Sequence, residues 1–170
     1  MPFRIARTNV NYHEQKQTMF FYPQYPTVPH FRCILPRKKQ LPMTKKKFHI
    51  EYVFNKVSRR SLWNHLVTTS GLSAWFADDV STDVADTVYT FKWGKDKQVA
   101  DVILMRPEVS VRYHWQDEED GCYFEFRIHT IELTGTTALE ITDFADPNEK
   151  ADAISLWDTQ VRKLKRMSGI

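Results

Sequence analysis

Between Val88 and Ile141 the chain strings together five runs in which apolar and polar residues alternate, and no segment joining them has the length or period of a helix. One further alternating run and two short helical segments precede this block, and one long amphipathic segment follows it. Consecutive strands joined by tight turns pair antiparallel, and the apolar face they share has to be covered. The order therefore predicts an α+β fold: a curved antiparallel sheet around a long C-terminal helix, with two short helices after strand one.

Parity identifies the strands. Phe48, Ile50, Tyr52 and Phe54 alternate with His49, Glu51 and Val53, while Tyr89, Phe91 and Trp93 alternate with Val88, Thr90 and Lys92. Gly94-Lys95-Asp96 then turns the chain into Gln98–Met105. Val109, Val111, Tyr113 and Trp115 alternate with Ser110, Arg112 and His114 before the acidic turn Asp117-Glu118-Glu119-Asp120-Gly121 leads into Tyr123–Ile131. If Trp115 pairs with Cys122 across that turn, Tyr113 opposes Phe124 and Val111 opposes Phe126 on one face, with Arg112 opposite Glu125 on the other. Thr134-Gly135-Thr136 makes the last turn before Leu139 and Ile141.

Ser58 is the expected N-cap of a helix through Leu62, Trp63, Leu66 and Val67, broken by Ser70 and Gly71. Leu72–Ala77 reads as a second short helix, with Leu72, Trp75 and Phe76 on one side, ahead of the acidic pair Asp78 and Asp79. Beyond Pro147, from about Asn148, Ile154, Trp157, Val161 and Leu164 fall on one face of the terminal helix.

At 170 residues, 42% apolar and 14% aromatic, the chain is large enough for one domain with a real core. Its charge is segregated: residues 1–47 hold ten Lys and Arg against one acid, Glu14, and beyond them 14 basic residues face 20 acidic ones, a net −6. Residues 1–42 also carry six of the eight prolines and neither a strand nor a helix period. Residues 1–43 are accordingly expected to be a basic extension, disordered or upstream of a start at Met43, and residues 44–170 the folded domain. A nucleic-acid contact through that extension is the less favoured reading. No stretch approaches the roughly 18 apolar residues that span a bilayer, and no basic segment leads into an apolar run, which reads as cytoplasmic. Cys33 and Cys122 form no CxxC pair and imply neither disulfide nor metal.

Residues 45–170 resemble a START-like domain of the SRPBCC, or helix-grip, superfamily, which also holds the birch-pollen allergen, polyketide cyclases and relatives of the C-terminal domain of the Hsp90 ATPase activator. The resemblance is carried by Leu62-Trp63, Gly71-Leu72-Ser73-Ala74-Trp75-Phe76, Phe91-Lys92-Trp93-Gly94, Val111-Arg112-Tyr113-His114-Trp115, Tyr123-Phe124-Glu125-Phe126-Arg127-Ile128, Ile141-Thr142-Asp143-Phe144-Ala145 and Leu156-Trp157. The chain is most similar to the small bacterial members. The resemblance implies a pocket between sheet and terminal helix that many relatives use for lipids, sterols, polyketides or hormones, and it implies no shared catalytic residue.

Aromatic residues are the densest signal for a site. Trp75, Phe76, Tyr89, Phe91, Trp93, Tyr113, Trp115, Phe124 and Phe126, with Ile154, Trp157 and Val161 from the terminal helix, are the expected walls of a hydrophobic pocket, the polar tips of Tyr and Trp orienting a ligand. The same rings could instead fill the space as core. His114 and His129 fall about 20 Å apart in the expected register and share no metal. Arg112, Glu125 and Arg127 read as ion pairs on an exposed sheet face. Asp101 and Asp143 are the best acid/base candidates, since a carboxylate turned into an apolar pocket has a raised pKa. No GxSxG, HExxH, P-loop or GxGxxG pattern is present. The expected function is cofactor-free binding of a small hydrophobic molecule, no catalysis assumed. The alternatives are a co-chaperone-like module that binds a protein partner or forms a homodimer, and an enzyme of the cyclase or hydratase kind using Asp101 or Tyr113.

Overall fold

The structure, a computed structural model, describes residues 45–169; the expected extension over residues 1–43 lies outside them. Strand β1 (Lys46–Phe54) is followed by α1 (Arg59–Val67) and α2 (Thr69–Trp75). Strands β2 (Asp79–Thr82), β3 (Val88–Trp93), β4 (Asp96–Arg106), β5 (Ser110–Trp115), β6 (Phe124–Ile131) and β7 (Thr136–Ala145) come next, and α3 (Lys150–Met167) closes the order. The seven strands form one antiparallel sheet in the order β1-β7-β6-β5-β4-β3-β2. The expected α+β helix-grip architecture is what forms.

Period-2 patterning sorts each strand onto two faces. Tyr113 pairs with Phe124, Val111 with Phe126 and Arg112 with Glu125, the register anticipated from the acidic turn. Phe91, Val111, Tyr113, Phe126, Leu139 and Ile141 bury one face of the sheet completely, and α3 lays Trp157, Val161 and Leu164 against it. Tyr52 on β1 donates its hydroxyl to Asp158 on α3 at 2.7 Å, tying the edge strand to the helix.

Three features depart from the sequence reading. Strand β2 was not anticipated: Asp79–Thr82 holds a single buried residue, Val80, too little alternation to register as a strand. Helix α2 begins at Thr69, three residues early, because Thr68 caps it by accepting the Gly71 N–H at 2.9 Å. Gly71 is therefore inside a helix and does not break one. A Cβ there would sit 2.3 Å from the Asn64 carbonyl oxygen and 2.7 Å from the His65 Cα, so its missing side chain lets α2 cross the end of α1. Finally, Glu125 is only 3% exposed, so its pairing with Arg112 and Arg127 involves a buried carboxylate and not an open-face pair.

The last turn of a helix leaves carbonyls with no partner in the helix, and at the end of α1 side chains supply the missing donors. Aromatic tips from three elements are among them. Trp75 Nε1 donates to the His65 carbonyl at 2.9 Å, the Tyr113 hydroxyl to Leu66 at 2.9 Å and the Tyr89 hydroxyl to Val67 at 2.7 Å, while Thr68 closes on Asn64. Trp93 Nε1 does the same for Phe76 at the end of α2, at 2.8 Å. Removing a donor strands a buried carbonyl, so Tyr113→Phe is expected to lower stability by about 2 kcal/mol in urea unfolding. A loss below about 0.5 kcal/mol would show that water satisfies Leu66 instead.

Candidate functional site

The end of the sheet where β5 turns into β6 does not close completely against the first half of α3. A cavity of about 170 Å³ remains there. Its floor is aromatic: Phe76 stacks on Trp157 with ring centres 5.9 Å apart, Trp115 stacks on Phe124 at 4.8 Å, and Phe76 joins Phe124 at 5.7 Å. Side walls come from Cys122, Tyr123 and Phe144 and, on α3, Ala153 and Leu156.

The lining also carries charge, and most of it is negative. Glu118, Asp143, Asp146, Glu149 and Asp152 contribute five carboxyls against the one ammonium of Lys45, which is paired with Glu118. Asp152 sits in the first turn of α3, where the helix dipole favours an acid.

Asp143 differs from the others. Strand parity puts it on the same face of β7 as Leu139 and Ile141, under α3, with its accessible part opening into the cavity. Trp157 Nε1 donates to Oδ2 at 2.9 Å and the Phe144 N–H to Oδ1 at 2.7 Å. Both bonds favour the ionised form, yet burial outweighs them and pushes the carboxyl up from 3.8 to about 6. Burial likewise raises the neighbouring Cys122 thiol. A group that holds or releases a proton near neutrality therefore sits in the wall of an aromatic cavity.

This arrangement, a curved antiparallel sheet with a cavity beneath its C-terminal helix, agrees with the sequence profile of the START-like superfamily domain, which matches residues 43–170. The chain belongs to the START-like superfamily. The protein BfR322 from Bacteroides fragilis, solved by solution NMR, is 42% identical to it, covering 74% of this chain and 92% of that one, with a TM-score of 0.54. The Aha1 dimer from Colwellia psychrerythraea is 17% identical over 74% of this chain and 97% of that one, with a TM-score of 0.61. CalU16 from Micromonospora echinospora is 13% identical over 72% and 74% of the two chains, with a TM-score of 0.55. These last two likenesses are of fold. No curated protein matches the chain in sequence.

Within this START-like domain the twelve residues expected to wall a pocket divide into two groups. Phe76, Trp115, Phe124 and Trp157 line the cavity. Trp75, Tyr89, Phe91, Trp93, Tyr113, Phe126 and Val161 lie in the packed core, and Ile154 packs against it. The hydroxyls of Tyr89 and Tyr113 are the ones that cap α1. Asp101 points to the opposite face from Ala100 and accepts from Gln116 Nε2 at 2.9 Å, away from the cavity. His114 Nδ1 lies 2.6 Å from the Cys122 carbonyl oxygen, and His129 Nε2 lies 3.0 Å from Glu51. Among the described residues no helix is long and apolar enough to cross a membrane. Asp143, one of the two acid/base candidates of the sequence, is in the cavity lining; the other acids there, Glu118, Asp146, Glu149 and Asp152, were not singled out as a group, and only the fold brings them to one mouth.

Proposed function

We propose that this START-like domain binds a small molecule in the cavity between the end of the sheet and α3, its apolar body on Phe76, Trp115, Phe124 and Trp157 and a hydrogen-bonding or cationic group on Asp143. The observation that carries the reading is the placement of Asp143, a buried carboxyl set beside the aromatic floor. An aromatic cavity gains affinity from burial at about 25 cal/mol per Å², and one polar anchor orients what it holds. The size limits the ligand. A cavity of about 150 Å³ holds a benzene ring, so about 170 Å³ suits one ring with short substituents and is below the roughly 300 Å³ at which drug-sized pockets begin.

The same carboxyl favours a second reading, general acid–base catalysis on the bound molecule. A group that titrates near 6 exchanges its proton readily at neutral pH, and the backbone and indole bonds fix its orientation.

Native against denaturing mass spectrometry of protein taken from its own host tests the binding. A mass excess lost on denaturation, and absent from the Asp143→Asn protein, is the expected result. Identical spectra under gentle conditions would overturn it and favour the interaction-module reading.

A further inference from the structure

We propose a second site, distinct from the aromatic cavity, for a small multiply charged oxyanion, built from Arg59, Arg106, Arg112 and Arg127. The four arginines line one concavity of about 500 Å³ where β4 turns into β5. The aromatic cavity lies toward the other end of β5, and Arg112 links the two, its guanidinium lying over the Tyr123 ring in that cavity's wall.

Charge distribution is the first argument. Beyond residue 47 the chain carries a net −6, yet the lining of this concavity sets four arginines against one carboxylate, Glu125. All four cations are Arg, none Lys. The planar fork of Arg matches phosphate and carboxylate oxygens two at a time, which a lysine ammonium does not.

The second argument is an excess of donors. Arg112 directs Nε and Nη2 at one oxygen of Glu125, at 2.9 and 2.6 Å, while its guanidinium lies 4.0 Å over the Tyr123 ring. Arg127 reaches the other oxygen at 3.3 Å and Glu140 at 3.9 Å. These contacts neutralise the buried Glu125 and brace two arginines. Arg59 and Arg106 have no carboxylate partner among the described residues: Arg59 donates to the Thr130 hydroxyl at 3.0 Å and toward the Glu108 carbonyl at 3.5 Å. If the arginines served only to balance the outer-face acids, Arg112 and Arg127 would suffice.

The third argument is positioning. Val109 N–H closes a turn on the Arg106 carbonyl at 2.9 Å, with Pro107 and Glu108 between them. Glu108 has φ 59°, where glycine is the usual residue. That turn carries Arg106 and offers its Glu108 carbonyl to Arg59, and the buried Ser110 hydroxyl adds a further polar group to the lining.

Inorganic pyrophosphate and citrate are the probes, titrated into the full chain at low salt while amide and arginine Nε–Hε signals are followed by NMR. Saturable shifts at the four arginines are expected. They should weaken with added salt, and by at least about tenfold in the Arg59→Gln/Arg106→Gln double variant. An Arg162→Gln control, exposed on α3, should bind as the parent does. Tighter pyrophosphate binding would mark the natural ligand as phosphorylated, and tighter citrate binding as a polycarboxylate. No shift at about 10 mM of either probe, shifts confined to the basic residues 1–47, or an unchanged affinity in the double variant would overturn the site.

Discussion

Replacing Gly71 by alanine is expected to destabilise the domain by about 3 kcal/mol, near the top of the range for overpacking. The added methyl would meet the Asn64 carbonyl oxygen at 2.3 Å and the Thr68 Oγ1 and His65 Cα at 2.7 Å. Two of those neighbours are backbone, so no rotamer change relieves the contact. To make room, α2 would have to lift from the end of α1, drawing Trp75 away from the His65 carbonyl. In an open helix the same substitution would stabilise, since alanine is about 1 kcal/mol the better helix former. The sign of the effect in urea unfolding therefore decides between a close approach and an ordinary helical glycine.

The second large effect is a pH dependence. Asp143 has its carboxyl raised from 3.8 to about 6 in the folded protein, chiefly by burial. Between those values the folded state keeps a proton that the unfolded chain has released. Stability contributed by this group is therefore greatest below about pH 4 and falls as pH rises through 6, by about 3 kcal/mol in all. Other carboxyls carry the opposite dependence; Asp79 and Asp83, for instance, are lowered by their hydrogen bonds to Lys92 and to the Val88 N–H, so their contribution is lost as the pH falls below the ordinary carboxylate range. The clean quantity is the stability difference between the parent and Asp143→Asn. It is expected to shift by about 2 kcal/mol against the parent from pH 4 to pH 7. Parallel pH profiles for the two proteins would show that the carboxyl is hydrated in the cavity and titrates normally.

Much of this molecule was legible before its coordinates. Strand parity identified β1, β3, β5 and β6, and the acidic turn set the β5–β6 register, because a one-residue slip would have put Phe124 and Phe126 on the wrong face. Parity also puts Asp143 in line with Leu139 and Ile141, although it left Asp101 undecided. Gly71 was misread because a glycine after serine looks like a helix end when the element that crosses it is not in view. The division of the aromatics between core and cavity was hidden for a related reason. Tyr113 and Trp115 have the same parity; what separates them is their distance from the end of α3, which depends on how the sheet curves.

The strand order sets a timetable for synthesis. Strands β3 to β7 each pair with the strand made just before them, but β1 has one neighbour, β7, and Phe48 there faces Asp143 across the ladder. The first strand to leave the ribosome must wait for nearly the whole domain before it gains a partner. Until then Phe48 and Phe54, both buried in the finished fold, stay in contact with water or with whatever chaperone meets the nascent chain.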